Sequence, residues 1–344
     1  MTNSFRAPDA LLQDGVLPRG TLLVETRLSA DGAPQTLLGY ERLHPRPFKL
    51  SIQAIPGGGV VVVMADGDEV FHAALNQDAQ ERADVLRVSL SWDVTKGWGR
   101  LAIERPEQDK TVSTELTAPH GMRLDDIREM TTDPRRRLMD ADVQFFAVSS
   151  KVEPIGPMPT LTGRVPLLGA GQYIFAGKLR RGDLVETMES GLVPVLHAVQ
   201  RLVPARGSFR PVRLRAPYFG LQSDIVVAPD QRLVVGGSEV EYMFGREAVL
   251  VPARHLVNGI SAIAVSGPPV VRYTQVILPA HESVIAAGCP VESLYLGRIR
   301  RKADRLSESL LAGIDRRLLP EHAKSAYPML KPFEALTLVQ RRAA

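Results

Sequence analysis

The chain has 344 residues, of which 44% are hydrophobic and 23% are charged, and its formal net charge at pH 7 is +4. This length suits two domains of about 150 residues each, and the composition excludes a disordered or fibrous chain. The one cysteine, Cys289, excludes an internal disulfide framework and a multi-cysteine zinc site. Aromatic residues make up only 6%, which leaves few stacking platforms, so no nucleic-acid partner is expected. The basic clusters Arg135–Arg137 and Arg298–Lys302 are interpreted as solvated charge.

The N-terminal segment lacks the features of a signal peptide. Its first twenty residues contain Arg6, Asp9 and Asp14 and no apolar run of the required length. No stretch of about 18 apolar residues occurs anywhere in the chain, so no transmembrane segment is expected. The sequence predicts a soluble protein that is cytoplasmic by default, and export by a non-classical route stays open.

Alternation of apolar and polar residues predicts strands throughout the first 150 residues. In Phe48–Ala54 (FKLSIQA) and Leu86–Trp92 (LRVSLSW) every second side chain is apolar, which is typical of a half-buried strand. Shorter strands are predicted at Thr21–Arg27, Val60–Ala65, Arg100–Glu104, Thr111–Leu116 and Gln144–Val148. Seven strands separated by turn signals, with no clear amphipathic helix, predict an antiparallel β-sandwich over residues 1–150.

The order of these strands and the Ser91-Trp92-Asp93 strand end resemble concanavalin- or laminin-G-like sandwich domains. That resemblance implies binding of a carbohydrate or a protein. Asp66, Asp68 and Glu69 are interpreted as a solvated hairpin tip, because a calcium site needs six or more oxygen ligands from a defined loop. Trp92 and Trp98 are interpreted as packing residues.

Residues 151–159 include the stretch VEPIGPMP and are predicted to be a linker, because neither a helix nor a central strand tolerates three prolines in eight residues. A second, mainly β domain is expected over residues 160–297, with strands at Val193–Leu202, Val212–Arg215, Asp224–Val227, Leu233–Val235, Val249–Pro252 and Val270–Leu278. Residues 298–344 are expected to form a helical extension. Its leucine spacing predicts a helix over Ala303–Leu319 and a second one over Pro320–Tyr327.

Five blocks of the second domain, in succession, resemble the Hint domain, the hedgehog/intein self-processing fold, in its bacterial form. They are LRRGDLVET, PVRLRAPYFG, DIVVAPDQRLVV, YMFGREAVLVPARHLVNG and HESVIAAGCPVES. The resemblance implies a horseshoe of β-strands. It also implies a backbone acyl shift in which an N-terminal Cys or Ser attacks the preceding carbonyl and a His of a Thr/Ser-x-x-His block assists. In inteins a terminal His-Asn pair then releases the C-terminal side.

The sequence departs from that family at each catalytic position. No Cys or Ser occurs between Gly163 and Gly182, and Ala228 and Gln231 stand where the Thr/Ser and the His of the assisting block would be. His281 matches the late family histidine, but Glu292 and Ser293 replace the His-Asn pair. Glutamine is no acid or base, and serine has no carboxamide to cyclise. No catalytic residue, cofactor or metal is therefore expected at these positions.

These features predict a mainly β protein in which a sandwich precedes a Hint-like domain that has lost self-processing. We expect it to be a binding or structural module rather than an enzyme, with an unknown protein or glycan as its partner. One alternative is an active self-processing protein that uses Ser208 or Thr162. A second is a carbohydrate-binding protein that acts through the N-terminal sandwich. Cys289 is interpreted as a buried structural thiol. The oligomeric state is left open.

Overall fold

The computed structural model describes residues 15–28, 33–55, 59–76 and 85–343. The chain divides into two compact units, Met1–Gly156 and Pro157–Ala344. Both units consist mainly of antiparallel strands, which confirms the predicted fold class. None of the helices found in the described residues is long and apolar enough to span a membrane.

The first unit contains two five-stranded antiparallel sheets, ordered β11-β3-β4-β5-β6 and β12-β2-β7-β8-β9. A short pair, β1 with β10, lies outside them, and helix α1 spans Leu124–Thr132. The strands are β1 (Val16–Leu17), β2 (Arg19–Arg27), β3 (Gln35–Arg42), β4 (Phe48–Ala54), β5 (Val60–Asp66), β6 (Glu69–Leu75), β7 (Val85–Asp93), β8 (Trp98–Arg105), β9 (Lys110–Thr117), β10 (Met122–Arg123), β11 (Arg137–Leu138) and β12 (Val143–Ser149). Each of the seven predicted strands lies within one of these.

The core of the first unit contains the apolar residues of both sheets and of α1. In β4 buried and more exposed residues alternate along the strand, as the pattern FKLSIQA predicts. Trp92 is buried among these residues and its Nε1–H donates to the Leu17 carbonyl over 2.9 Å, which confirms its packing role. The sequence did not predict β3, β6 or α1.

Strand β7 is buried on both faces, so the prediction of a half-buried strand was wrong there. Arg87, expected to point to solvent, is buried and pairs with Glu25 over 3.1 Å. Ser91 Oγ lies 2.9 Å from Thr21 Oγ1, which also donates to the Lys151 carbonyl. Polar side chains can occupy this buried face because they bond to each other and to the segment that follows β12.

The second unit contains a six-stranded sheet, ordered β18-β24-β13-β20-β19-β23, and an eight-stranded sheet in which β15-β14-β25-β26-β21-β22 form the main path and β16 and β17 branch from β25. Its strands are β13 (Leu161–Thr162), β14 (Pro166–Leu168), β15 (Tyr173–Phe175), β16 (Leu184–Thr187), β17 (Gly191–Pro194), β18 (His197–Pro204), β19 (Val212–Leu214), β20 (Ile225–Val227), β21 (Arg232–Gly236), β22 (Ala248–Pro252), β23 (Ala262–Ala264), β24 (Val270–Ile277), β25 (Ser283–Ala286) and β26 (Cys289–Glu292). Its helices are α2 (Ser238–Phe244), α3 (Ala253–Leu256), α4 (Ala303–Glu308) and α5 (Pro332–Ala343).

The C-terminal region is less helical than its leucine spacing predicted. The helix expected over Ala303–Leu319 ends as α4 at Glu308, because the next residue, Ser309, adopts an extended conformation and its hydroxyl accepts from Leu311 N–H. Leu311 and Leu319 are nevertheless buried in one apolar cluster.

No helix forms over residues 320–327, so the second predicted helix was also wrong. The backbone N–H groups of this stretch bond to distant partners instead of to each other. His322 N–H donates to the Gly297 carbonyl over 3.0 Å, and Ala326 N–H donates to His281 Nδ1 over 3.0 Å. These tertiary bonds replace the helical ones that the local pattern favours.

Candidate functional site

Thr160 lies where three strands of the six-stranded sheet meet. In β13, Leu161 pairs with Val227 of β20 on one side and with Thr274 of β24 on the other. Because both pairings are antiparallel, the residue before Leu161 lies beside the residues that follow Val227 and Thr274. Thr160 is therefore adjacent to Ala228, whose N–H donates to the Thr160 carbonyl over 2.6 Å.

The side chain of Gln231 is the centre of a buried hydrogen-bond cluster, which we call the amide network. Its Oε1 accepts from the Thr160 hydroxyl at 2.6 Å and from Gln275 Nε2 at 3.3 Å. Its Nε2 donates to the Arg232 carbonyl at 2.9 Å and to the Glu292 carbonyl at 3.1 Å. Gln275 Nε2 also donates to the Glu292 carbonyl at 2.8 Å. The Gln231 amide thus uses both its oxygen and its nitrogen, and it links the start of the unit to the end of β26.

Glu292 and Ser293 are positioned by the hairpin of β25 and β26, in which Ser283 pairs with Glu292. Beyond that pair, Ser293 N–H donates to the Glu282 carbonyl at 3.0 Å, and Glu282 N–H donates to Ser293 Oγ at 3.4 Å. The pairing of β21 with β26 brings Arg232 Nη1 to 3.2 Å from Glu292 Oε1. The predicted terminal pair is thus held by two neighbouring strands.

His281 is buried beside the Glu292 carboxylate. Its Nδ1 accepts from Ala326 N–H at 3.0 Å, so in the neutral ring the proton is on Nε2. That Nε2 atom lies 3.1 Å from Glu292 Oε1. The ring also stands edge-on to Tyr295, with 4.9 Å between centroids. Both nitrogens of His281 are therefore directed at groups of the protein.

A second buried histidine, His322, ties the C-terminal extension to the same region. Its Nδ1 accepts from Leu296 N–H at 3.1 Å, and its Nε2 lies 3.1 Å from the Leu278 carbonyl, to which it donates in this tautomer. Burial lowers the pKa of His322, and the neighbouring His281 acts in the same direction. The ring centroids of the two histidines are 5.7 Å apart. We refer to residues 320–330 as the strap.

Cys289 is a buried thiol, as its sequence context predicted. It is 1% exposed and lies in β26. Burial raises its pKa to about 12, so the nucleophilic thiolate is not formed at neutral pH. Its Sγ lies 3.7 Å from the Pro290 carbonyl.

Four of the positions singled out from the sequence come together, namely Gln231, His281, Glu292 and Ser293. The fifth, Ala228, contacts this group through its backbone. Gly163 begins the segment in which the family resemblance places a nucleophile. Its carbonyl instead accepts from Gly177 N–H at 3.0 Å.

Sequence reasoning missed three side chains of the site, Thr160, Gln275 and His322. Thr160 lies just before Gly163–Gly182, the segment in which the family resemblance places the nucleophile. Gln275 follows Arg272 and Thr274 in β24, so the local pattern does not single it out. Nothing in the local sequence marks His322.

Chemically, the amide network binds a hydroxyl but offers it no base. A glutamine side chain accepts and donates hydrogen bonds without taking up a proton near neutral pH. Arg232 Nη1 donates to the Glu292 carboxylate and His281 Nε2 lies 3.1 Å from it, so protein groups surround this buried carboxylate.

Comparison with known proteins identifies one domain within the second unit. Residues 173–298 match the family model of the Hint domain, a range that begins after Thr160. None of the curated proteins compared with the chain matches it. Among solved structures, tailspike protein 2 from Escherichia coli O157:H7 bacteriophage CAB120 shows 10% identity over 38% of this chain, with a TM-score of 0.26, and the match spans only 20% of that protein.

Two further structures show equally remote similarity. The binding domain of Botulinum Neurotoxin DC in complex with SialylT is 8% identical over 86% of this chain and 81% of its own, with a TM-score of 0.26. Scytalido-glutamic peptidase with a peptide-based transition state analog is 9% identical over 61% of this chain and 92% of its own, with a TM-score of 0.20. These scores carry no argument about fold or function. The family match identifies residues 173–298 as a Hint domain, so this is a Hint-domain-containing protein.

Proposed function

We propose that the Hint domain of this protein does not process itself and serves as a structural or binding module. The observation that carries the proposal is the hydrogen bond from the Thr160 hydroxyl to Gln231 Oε1, 2.6 Å long, at the centre of a buried amide network. This hydroxyl, which lies shortly before the segment that begins at Gly163, thus faces an amide oxygen instead of an imidazole.

An acyl shift to a side chain needs an activated nucleophile and an acid for the leaving amine. Gln231 provides neither, because it does not exchange protons near neutral pH. Ala228, at the other end of the assisting block, contributes only backbone hydrogen bonds. The Thr160 hydroxyl is therefore held but not deprotonated.

The terminal step lacks its reacting group as well. Ser293 has no carboxamide with which to attack the following peptide bond. His281, the retained imidazole, accepts from the strap through Nδ1 and faces Glu292 through Nε2. Both ends of the expected reaction are consequently occupied by groups that form hydrogen bonds and do not react.

Intact-mass spectrometry of the purified full chain tests this proposal. We expect one species of 37.6 kDa over days, with or without added thiol or hydroxylamine. The single variants Gln231→His and Thr160→Cys should also stay whole, because each restores only one of the required groups. Cleavage of the unaltered chain beside Thr160 would overturn the proposal.

The second candidate function is active self-processing. It is favoured by the buried Thr160 hydroxyl, a possible nucleophile that lies between strands of the second unit. Thr162, another candidate, uses its hydroxyl to donate to the Val226 carbonyl at 2.7 Å. If the chain cleaves itself through Thr160, Thr160→Ala should abolish cleavage and Thr162→Ala should not.

The third candidate function, carbohydrate binding by the N-terminal sandwich, is independent of the Hint domain. A glycan array probed with the full chain tests it. The first unit contains a polar groove that gives this candidate a location.

A further inference from the structure

The sheet of β3, β4 and β11 has a polar face opposite the core. Along β4 the apolar residues are buried, whereas Lys49, Ser51 and Gln53 lie on the other face. In the register of β3 with β4, Glu41 is opposite Lys49 and Gly39 is opposite Ser51. These side chains share one face of the sheet because both strands alternate in phase.

Gly39 and Ser51 form a depression in this face of the sheet. They are the smallest residues on it, and longer side chains stand on either side of them along β4. The segment Arg135–Leu138 forms one wall, and Leu138 Cβ lies 3.2 Å from the place where a Cβ on Gly39 would be. The resulting groove is open to solvent and has a volume of about 490 Å³.

The wall presents two cationic groups, each paired with a carboxylate. Arg135 Nη2 pairs with Asp133 Oδ2 at 3.1 Å, and Arg136 Nε pairs with Glu129 Oε1 at 2.6 Å. A guanidinium has five N–H donors, so each arginine keeps donors for a further acceptor. Lys49, across the groove, is exposed and forms no ion pair with any residue that the structure describes.

Arg137 anchors this wall to the rest of the unit. Its Nη1 donates to the Met130 carbonyl at the end of α1, and its guanidinium lies 5.2 Å from the centre of the Phe146 ring. The side chain is therefore partly desolvated and held by two neighbouring elements. The arginine cluster that the sequence interpreted as solvated charge has one member that is built into the fold.

The lining indicates the chemistry of a ligand. Ser51, Thr36 and Gln53 offer hydroxyl and amide groups that can exchange hydrogen bonds with sugar hydroxyls. Lys49 and the two paired arginines favour an anionic group such as a carboxylate. Glu41 also faces the groove, so it disfavours a densely charged polyanion.

We propose that this groove binds a carboxylate-bearing saccharide, with the carboxylate directed at Lys49 and the arginine wall and the hydroxyls over the floor at Gly39 and Ser51. The proposal gives a site and a ligand class to the carbohydrate-binding candidate. It does not depend on the state of the Hint domain, because all the groove residues belong to the first unit.

Calorimetric titration of the full chain with digalacturonate tests the proposal, with the neutral disaccharide of galactose and with polyphosphate as comparison ligands. Lys49→Gln should weaken digalacturonate binding by about tenfold or more, since it removes the uncommitted cation. Ser51→Phe should weaken it as strongly by filling the floor. Lys110→Gln removes an equal charge from an exposed site on the other sheet and should leave the affinity within about twofold.

Several results would overturn this assignment. One is the absence of digalacturonate binding, and another is equal affinity for the neutral disaccharide. Displacement of digalacturonate by polyphosphate at lower concentration, or equal weakening by Lys110→Gln, would show attraction by surface charge alone. A thermal melt checks that Ser51→Phe is folded. If Ser51→Phe is not folded, Lys49→Gln, which alters only an exposed side chain, decides the outcome. Intact mass is unaffected by any of these results, so the proposal for the Hint domain is tested separately.

Discussion

The hydroxyl of Thr160 and the side-chain amide of Gln231 are joined by a 2.6 Å hydrogen bond, although 71 positions separate them in the chain. This bond connects the start of the second unit to the block in which glutamine replaces the expected histidine. In the function proposed above, this contact stands where a self-processing domain would need a nucleophile and its base.

Thr160→Val should destabilise the protein by about 1–3 kcal/mol, because it removes a donor from the buried Gln231 oxygen while keeping the side-chain shape. Urea unfolding measures the effect as a shift of the midpoint concentration while the slope m stays unchanged. Thr117→Val, at an exposed position of β9, is the matched control and should change the free energy of unfolding by less than about 0.5 kcal/mol. Equal effects of the two variants would contradict a structural role for the Thr160 hydroxyl.

Cys289 should not react with a thiol reagent such as Ellman's reagent in the folded protein at pH 8. Burial raises its pKa to about 12 and shields the sulfur, so both the thiolate and access to it are lacking. One thiol per chain should react after unfolding in guanidinium chloride. Rapid reaction of the folded chain would show that β26 opens readily.

Stability should fall as the pH is lowered from about 6.5 towards 4, in part because of His255. Burial, assisted by the Arg254 cation, lowers the pKa of His255 to about 4 in the folded protein. At pH values between about 4 and the ordinary histidine pKa of about 6.5, the unfolded chain binds a proton that the folded chain does not. Protonation therefore favours unfolding. After allowance for the partial exposure of the ring, the loss is about 1–2 kcal/mol.

Thermal melts of His255→Gln over this pH range check that prediction. The variant should show a smaller decrease of the melting temperature between pH 6.5 and 4 than the unaltered protein. His72→Gln, on an exposed position of β6, should retain the full decrease. If His255→Gln leaves the pH dependence unchanged, the prediction is wrong.

The leucines after α4 should differ sharply in their contribution to stability. Leu311 is 0% exposed in the apolar cluster of the C-terminal region, whereas Leu310 is only partly buried against it. Leu311→Ala should therefore cost about 2–5 kcal/mol, and Leu310→Ala should cost less than half of that. A continuous helix over Ala303–Leu319 would bury Leu310 as well, and similar losses for both variants would favour that arrangement.

The position of the strap should depend on His322, which bonds to Leu296 N–H and to the Leu278 carbonyl. His322→Ala leaves two buried backbone groups without partners and should destabilise the chain by about 2–4 kcal/mol. Hydrogen exchange should rise at Ala326 N–H, which donates to the neighbouring His281. The exposed His44 provides the control: His44→Ala should affect neither the unfolding midpoint nor the exchange of Ala326.

The sequence by itself determined many of the strands and the resemblance to the Hint domain. Strict alternation in Phe48–Ala54 reflects burial of one sheet face, which is a local property that the order of residues displays. The ordered blocks around Gln231 and His281 likewise pointed to the Hint domain, because they lie in continuous segments.

Local patterns failed where burial or bonding came from distant segments. The alternation in β7 predicts that Arg87 lies on a polar, exposed face. It is nevertheless buried, because Glu25 compensates its charge. The helical spacing of leucines after Gly297 is real, but Ser309 interrupts the helix and the backbone of the strap bonds to Gly297 and His281 instead.

Only the tertiary structure decided which residues form the site. Thr160 and Gln275 meet because β13 lies between β20 and β24, a pairing that joins chain segments 115 positions apart. His322 enters the region from beyond the Hint domain. Such contacts depend on strand order and register, which arise from packing of the whole unit and leave no periodic signal in the neighbouring residues.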